Sequence, residues 1–189
     1  MQLLTGNHDP NNGINSTWLC NETILVTHGH VALKGVAPWS WRSKYIEEAR
    51  KYYLQNSGDG FTEQLEATQK ASFDAATGEF KKYSPSTIKL FLIAFPAIIQ
   101  VLLSWVKFPR LMANWAMTYA PSAKFIVTGH THHAGIWKCN DMTIINTGCY
   151  GFPSHPRAVI VDESKIEVYK IQQSGDLFSL GQRLRSWSD

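Results

Sequence analysis

Six of the chain's seven histidines fall in three short clusters: Gly6-Asn7-His8-Asp9, His28-Gly29-His30 and Gly129-His130-Thr131-His132-His133. Imidazole nitrogens and a carboxamide oxygen, grouped in this way, are the donors that hold divalent cations. In the first cluster Asn7 offers a hard neutral ligand. His8 beside it can give a proton to a leaving oxygen, and Asp9 can orient His8 and favour its charged form. The other reading of that loop is an ordinary turn rich in Asn and Asp. His28 is either a ligand or a hydrogen-bonded histidine at a strand end, with Gly29 allowing close backbone approach. His30 is read as facing substrate or as structural. In the third cluster His130 and His132 are two residues apart, and if they leave a strand together they point the same way. His133 is a further pocket or surface residue, and His155, in Ser154-His155-Pro156, reads as a loop histidine.

Each cluster follows an apolar, strand-like run: Leu3-Leu4-Thr5, Ile24-Leu25-Val26-Thr27 and Phe125-Ile126-Val127-Thr128. The ligands are therefore expected where several strands end, the edge at which α/β proteins bind their ligands. Further short strands are expected at Gly135 to Cys139, Met142 to Asn146, Arg157 to Val161 and Lys165 to Ile171. Between the two sheet-forming parts the pattern turns helical. Trp41, Tyr45, Ile46, Ala49, Tyr52 and Tyr53 recur at helical spacing, which predicts an amphipathic helix from Trp41 to about Asn56. Thr62 to Phe73 predicts a second, weaker helix, and Asp74 to Ser84 a polar loop. Ser86 could cap an apolar helix from Leu90 to Val106 that Pro96 should kink, with Pro109 opening a separate helix that ends near Tyr119. That apolar run is shorter than the roughly 18 to 20 residues a membrane span needs, and Pro96 and Gln100 fall inside it. The expected division is residues 1–39 as the first part of a core, 40–121 as a helical insert or cap, and 122–189 as the second part of the core.

The chain has 189 residues, enough for one globular domain and its core. Its net charge of +3 comes from Lys and Arg spread along the chain, so no nucleic-acid partner is expected and a small anionic substrate is compatible. Cys20, Cys139 and Cys149 have no CxxC spacing and an odd count, which supports neither a zinc ribbon nor a disulfide framework. With no export signal visible, the expected location is the cytoplasm. The sequons at Asn15 and Asn21 are then chance matches.

Taken in order, Gly-Asn-His-Asp, His-Gly-His and Gly-His-Thr-His resemble the calcineurin-like metallophosphoesterase superfamily. Ile144-Ile145-Asn146-Thr147-Gly148 is similar to the Asn-x-Gly turn that follows the Gly-His-x-His strand pair in many members. The resemblance runs from Leu3 to about Ile171. It implies an α/β (α+β) fold, a two-sheet sandwich flanked by helices, with a site for two metals that activate a water for attack on phosphorus. It also implies that Asn7, His28 and His130 bind one metal, His132 the other, and that His8 protonates the leaving alkoxide. Mixed nitrogen and oxygen donors suit Mn, Fe or Zn.

One departure bears on activity. The family's Asp-x-His and Gly-Asp-x-x-Asp motifs, which supply most ligands of one metal and the bridging carboxylate, normally precede the Gly-Asn-His-Asp loop, where this chain begins. The N-terminal part of the fold is thus expected to be missing. The expectation is either a truncated enzyme or a chain that binds one ion and turns over poorly. A non-catalytic remnant that serves as a binding module is the rival class.

About a hundred residues separate His28 from His130. A helical insert there resembles the UDP-2,3-diacylglucosamine hydrolase branch, which implies a lipid-linked or nucleotide-sugar phosphoester substrate. The helix from Leu90 to Val106 would then line an acyl pocket, or else form the buried spine of a cap. Lys89, Lys107 and Arg110 also permit peripheral contact with an anionic membrane.

Overall fold

The computed structural model of the chain describes residues 2–6, 13–77, 87–151, 154–162 and 164–188, with side chains from residue 95 onward in the helix that starts at Thr87. Two compact units partition it. The first comprises Met1–Ser16 and His28–Pro121, the second Thr17–Thr27 and Ser122–Asp189.

The second unit is built from β-branched runs that have no use for helical periodicity. Strands β1 (Ser16–Leu19), β2 (Ile24–Thr27), β3 (Phe125–Thr128), β4 (Gly135–Cys139) and β5 (Met142–Asn146) form one sheet in the order β1-β2-β3-β5-β4. β2, β3 and β5 are parallel neighbours, and β4 returns antiparallel to β5. Every residue of β5 is buried, as expected for an interior strand between β3 and β4. A second, antiparallel sheet orders β6 (Arg157–Asp162), β7 (Lys165–Ser174) and β8 (Leu177–Ser188).

The two sheets meet face to face. Ile24, Val127 and Ile145 from the first sheet pack with Ile166 and Val168 from the second, and Phe125 meets Trp187 edge-on at 5.3 Å between ring centres. The mixed α/β sandwich expected from the sequence is therefore the observed fold. β8 was not expected: Gly181 and the polar stretch around it blur the alternation, and pairing with β7 holds the strand through two register shifts.

In the first unit, α1 (Ser43–Ser57) and α2 (Phe61–Thr77) pack together through Val36, Ile46, Ala71 and Ala75. α1 matches the amphipathic pattern. α2 runs further than expected, taking in Asp74 to Thr77, because Ala71 and Ala75 are buried one turn apart on its inner face. The remainder of the expected loop, and Ser86, lie outside the described residues.

α3 (Thr87–Tyr119) passes through both Pro96 and Pro109 as one helix. The expectation that Pro109 opens a separate helix is corrected. Phe108, Met112, Ala113 and Ala116 are all buried around it, and Trp115 packs between the rings of Phe61 and Tyr119 at 5.7 and 5.5 Å. Burial of that face offsets the roughly 3 kcal/mol a mid-helix proline costs. The expected buried spine is also displaced: the packed part of α3 begins at Phe108, while Phe95, Ile98, Ile99, Leu102, Leu103 and Val106 are exposed. Leu3-Leu4-Thr5 is not a strand, and Leu4 makes only an isolated bridge to Ile14. Among the described residues no helix is long and apolar enough to cross a membrane.

Candidate functional site

β3 and β5 deliver their motifs at one edge of the sheet. β3 and β5 are in register with Thr128 opposite Asn146, so the Gly129-His130-Thr131-His132 loop and the Asn146-Thr147-Gly148 turn leave the sheet side by side. β2, the other parallel neighbour of β3, ends at Thr27, with His28 next in the chain.

Asn146 joins the two loops of the second unit. Its side chain is fully buried, and its Nδ2 donates to the Gly129 carbonyl at 2.5 Å and to Thr131 Oγ1 at 3.0 Å. Its Oδ1 accepts from the Gly148 backbone N–H at 2.9 Å. Thr131 N–H donates in turn to the Gly129 carbonyl at 2.8 Å, closing a three-residue turn with His130 at its apex and φ of 63°. A non-glycine residue in such a turn is strained, and strain of this kind persists only where the surroundings over-determine it. His130 is buried. His132 also adopts a left-handed φ, 58°, and is exposed. The two histidines thus leave β3 through turn geometry and not by the strand alternation expected of them.

Beyond His132 the loop is held from the other side. Ser154 Oγ donates to the His132 carbonyl at 2.5 Å and accepts from the Ala134 N–H at 3.2 Å. Gly148, at φ 74°, lies beneath: a Cβ there would come within 2.7 to 2.8 Å of Ser154 Oγ, Ala134 Cβ and the His155 carbonyl. Only glycine fits. His133 rests against Trp137, with ring centres 5.7 Å apart, and Gly135 leaves the space that the Trp137 indole fills. His155 contributes its carbonyl to the Gly148 cradle.

In the first unit the sequence brings a different pair of motifs together. The backbone of Gly6, the opening residue of Gly-Asn-His-Asp, lies against the His28 imidazole: a Cβ on Gly6 would stand 3.3 Å from Nε2 and 3.4 Å from Cδ2. His28 Nδ1 and His30 Nδ1 are 2.9 Å apart, with ring centres at 4.9 Å. Two ring nitrogens at that distance share one proton, so His30, only 5% exposed, orients the His28 ring and leaves its Nε2 edge toward Gly6. Gly29, at φ 96°, makes the tight turn between them. Asn7, His8 and Asp9 lie outside the described residues.

Among the described residues no group of three or more His, Cys, Asp or Glu side chains gathers where one ion could be held. His28 belongs to the first unit, and His130 and His132 to the second. The described residues do not by themselves make up a site that fits a metal ion.

Sequence reasoning missed the support from Ser154 and picked out the Asn146-Thr147-Gly148 turn without its contacts. Ser154 carries no local signal, since its role comes from a loop returning onto another. The Asn146 contacts had a signal, the Asn-Thr-Gly turn directly after a buried strand. A polar network in the first unit was also unforeseen. Arg50 donates to Gln64 Oε1, Gln64 Nε2 donates to Asp59 and Tyr119, and Tyr119 Oη donates to Asp59 at 3.0 Å. Burial lowers the Arg50 pKa, and burial followed by the Asp59 contact raises that of Tyr119. The network ties α1, α2 and the end of α3 together.

No protein-family model matches the chain, and no curated protein matches it significantly. Among solved structures it is similar to vacuolar protein sorting 29 from Cryptosporidium parvum, at 17% identity and a TM-score of 0.32 over 43% of this chain. The chain spans 45% of that protein's length. A likeness so low carries no inference about activity.

Proposed function

We propose that this chain belongs to a metal-dependent phosphohydrolase that cleaves a phosphoester or pyrophosphate bond in a small anionic substrate, a lipid-linked or nucleotide-sugar phosphoester. The observation that carries the reading is the contact of Gly6 with His28, which puts the start of the Gly-Asn-His-Asp motif beside the His-Gly-His motif although β1 and β2 lie between them in sequence. The Asn146 anchor supports it, because a buried carboxamide that holds a strained turn around His130 is a costly device for a purely structural loop. His8 is the proposed proton donor to the leaving oxygen, with Asp9 orienting it. The ligand roles proposed for Asn7, His28, His130 and His132 rest on the order of the motifs along the chain, as does the choice among Mn, Fe and Zn. His30, within the second motif, and His133, next to the third, are the proposed neighbours of bound substrate.

The test is turnover of p-nitrophenyl phosphate and bis-p-nitrophenyl phosphate by the full chain after chelation, with and without added Mn2+. Turnover that Mn2+ restores and that His130→Ala abolishes supports the reading. Absence of turnover together with absence of Mn2+ binding by calorimetry overturns it. A second reading, a non-catalytic binding module on the same fold, is favoured by the lack of a three-donor group among the described residues. It predicts tungstate binding with no turnover of either ester.

A further inference from the structure

The N-terminal half of α3 presents a face that the first unit leaves uncovered. Phe95, Ile98, Ile99, Leu102, Leu103 and Val106 repeat at intervals of three and four, so their side chains fall along one stripe of the helix. All six are exposed, Phe95 to 67% and Val106 to 81%. Over these residues only Ser104 is buried, whereas the packed part of the helix starts at Phe108. The stripe covers about three helical turns, roughly 18 Å. An apolar stripe of that length, open to solvent, marks an interaction surface.

The charges on the helix identify which partner. From Thr87 to Tyr119 there is no Asp or Glu, while Lys107 and Arg110 lie exposed just beyond Val106, and Lys89 stands near the other end. An exposed apolar stripe bounded by cations and free of carboxylates is complementary to an anionic bilayer surface, whose acyl boundary takes the stripe and whose phosphates take the cations. A second copy of the chain offers no carboxylate on this helix to meet Lys107 and Arg110. Insertion across the bilayer is a different mode, and no helix among the described residues is long and apolar enough for it.

We infer that α3 docks the protein on anionic membrane surfaces, lying in the interface with Phe95 to Val106 toward the acyl chains and Lys107 and Arg110 at the headgroups. This goes beyond the proposed phosphohydrolase activity and is tested without reference to it. It also gives a lipid-linked substrate a route to the protein.

The test is co-sedimentation of the full chain with phosphatidylcholine vesicles that contain phosphatidylglycerol, and with vesicles of phosphatidylcholine alone. The expected result is pelleting with the anionic vesicles only. Leu102→Asp with Val106→Asp should weaken it by at least about tenfold, since apolar burial is lost. Lys107→Gln and Arg110→Gln should each weaken it about fivefold. All four positions are exposed, so the melting temperature should stay close to that of the parent. Quenching of the parent protein's tryptophan emission by brominated phosphatidylglycerol gives a readout that needs no variant. The inference is overturned if the parent pellets equally with neutral vesicles or with none. It is also overturned if the double Asp variant pellets as the parent does, or if those substitutions turn a sedimenting dimer into a monomer while vesicle binding is absent.

Discussion

Gly6 faces His28: a Cβ built on Gly6 would stand only 3.3 Å from the Nε2 edge of the His28 imidazole. A methyl at that distance displaces the ring by a few tenths of an ångström, and a branched side chain displaces it further. Because His28 Nδ1 is tied to His30, the ring cannot move without breaking the 2.9 Å contact. Gly6→Val should therefore lower any Mn2+-dependent turnover by roughly 10- to 100-fold, the scale of a misplaced site residue. The melting temperature should change little, since Gly6 is only half-buried. Steady-state kinetics beside thermal melts check it, and unchanged turnover would show that the contact has no functional role.

Asn146 is the member of the second unit whose loss should be felt most. Asn146→Ala removes two donated bonds and one accepted bond from a fully buried side chain and releases the turn around His130. The expected cost is roughly 2–4 kcal/mol, from lost hydrogen bonds and backbone groups left without partners. Urea denaturation measures it. Asn146→Asp keeps the volume but sets a carboxylate against the Gly129 carbonyl, so it should not rescue stability at neutral pH.

A pH dependence follows from Glu167. Its buried carboxylate accepts from Arg183 at 2.7 Å, lies 3.1 Å from Lys165 Nζ and accepts from Tyr169 Oη at 3.2 Å. These contacts, Arg183 foremost, hold its pKa below the ordinary carboxylate value. A folded pKa below the unfolded one means that the stabilisation is fully present above the unfolded value and is lost as pH falls through the folded one. The urea midpoint of the parent should fall as the solution is acidified below the usual carboxylate range, and Glu167→Gln should flatten that fall. Parallel slopes for the two proteins would rule Glu167 out as a source of acid sensitivity.

Metal content is the most direct discriminator between an intact and an incomplete site. With no three-donor group among the described residues, and only His132 proposed for a second ion, the full chain should hold at most one Mn2+ tightly. Plasma emission after chelation and reconstitution gives the number. Two firmly held ions per chain would refute the expectation.

Some of this architecture was legible locally. Phe125–Thr128, Gly135–Cys139 and Met142–Asn146 are strands with the bounds their residues imply, because β-branched runs closed by Gly, Asn or Asp leave the chain little choice. The amphipathic α1 was equally plain, since its period is written in the side chains themselves. The three histidine clusters, too, could be picked out without a structure, from residue type and spacing alone.

What needed the tertiary structure is everything in which a distant partner outweighs a local preference. Pro109 continues a helix because Phe108, Met112 and Ala116 are buried around it, and β8 forms because β7 supplies its hydrogen bonds. Asn146 and Ser154 hold the histidine loop through contacts that span 17 to 22 residues, and Gly6 meets His28 across two strands. A sequence records which groups can bond, but burial and hydrogen bonding between distant segments decide which of them do, because those free energies exist only once the chain has folded.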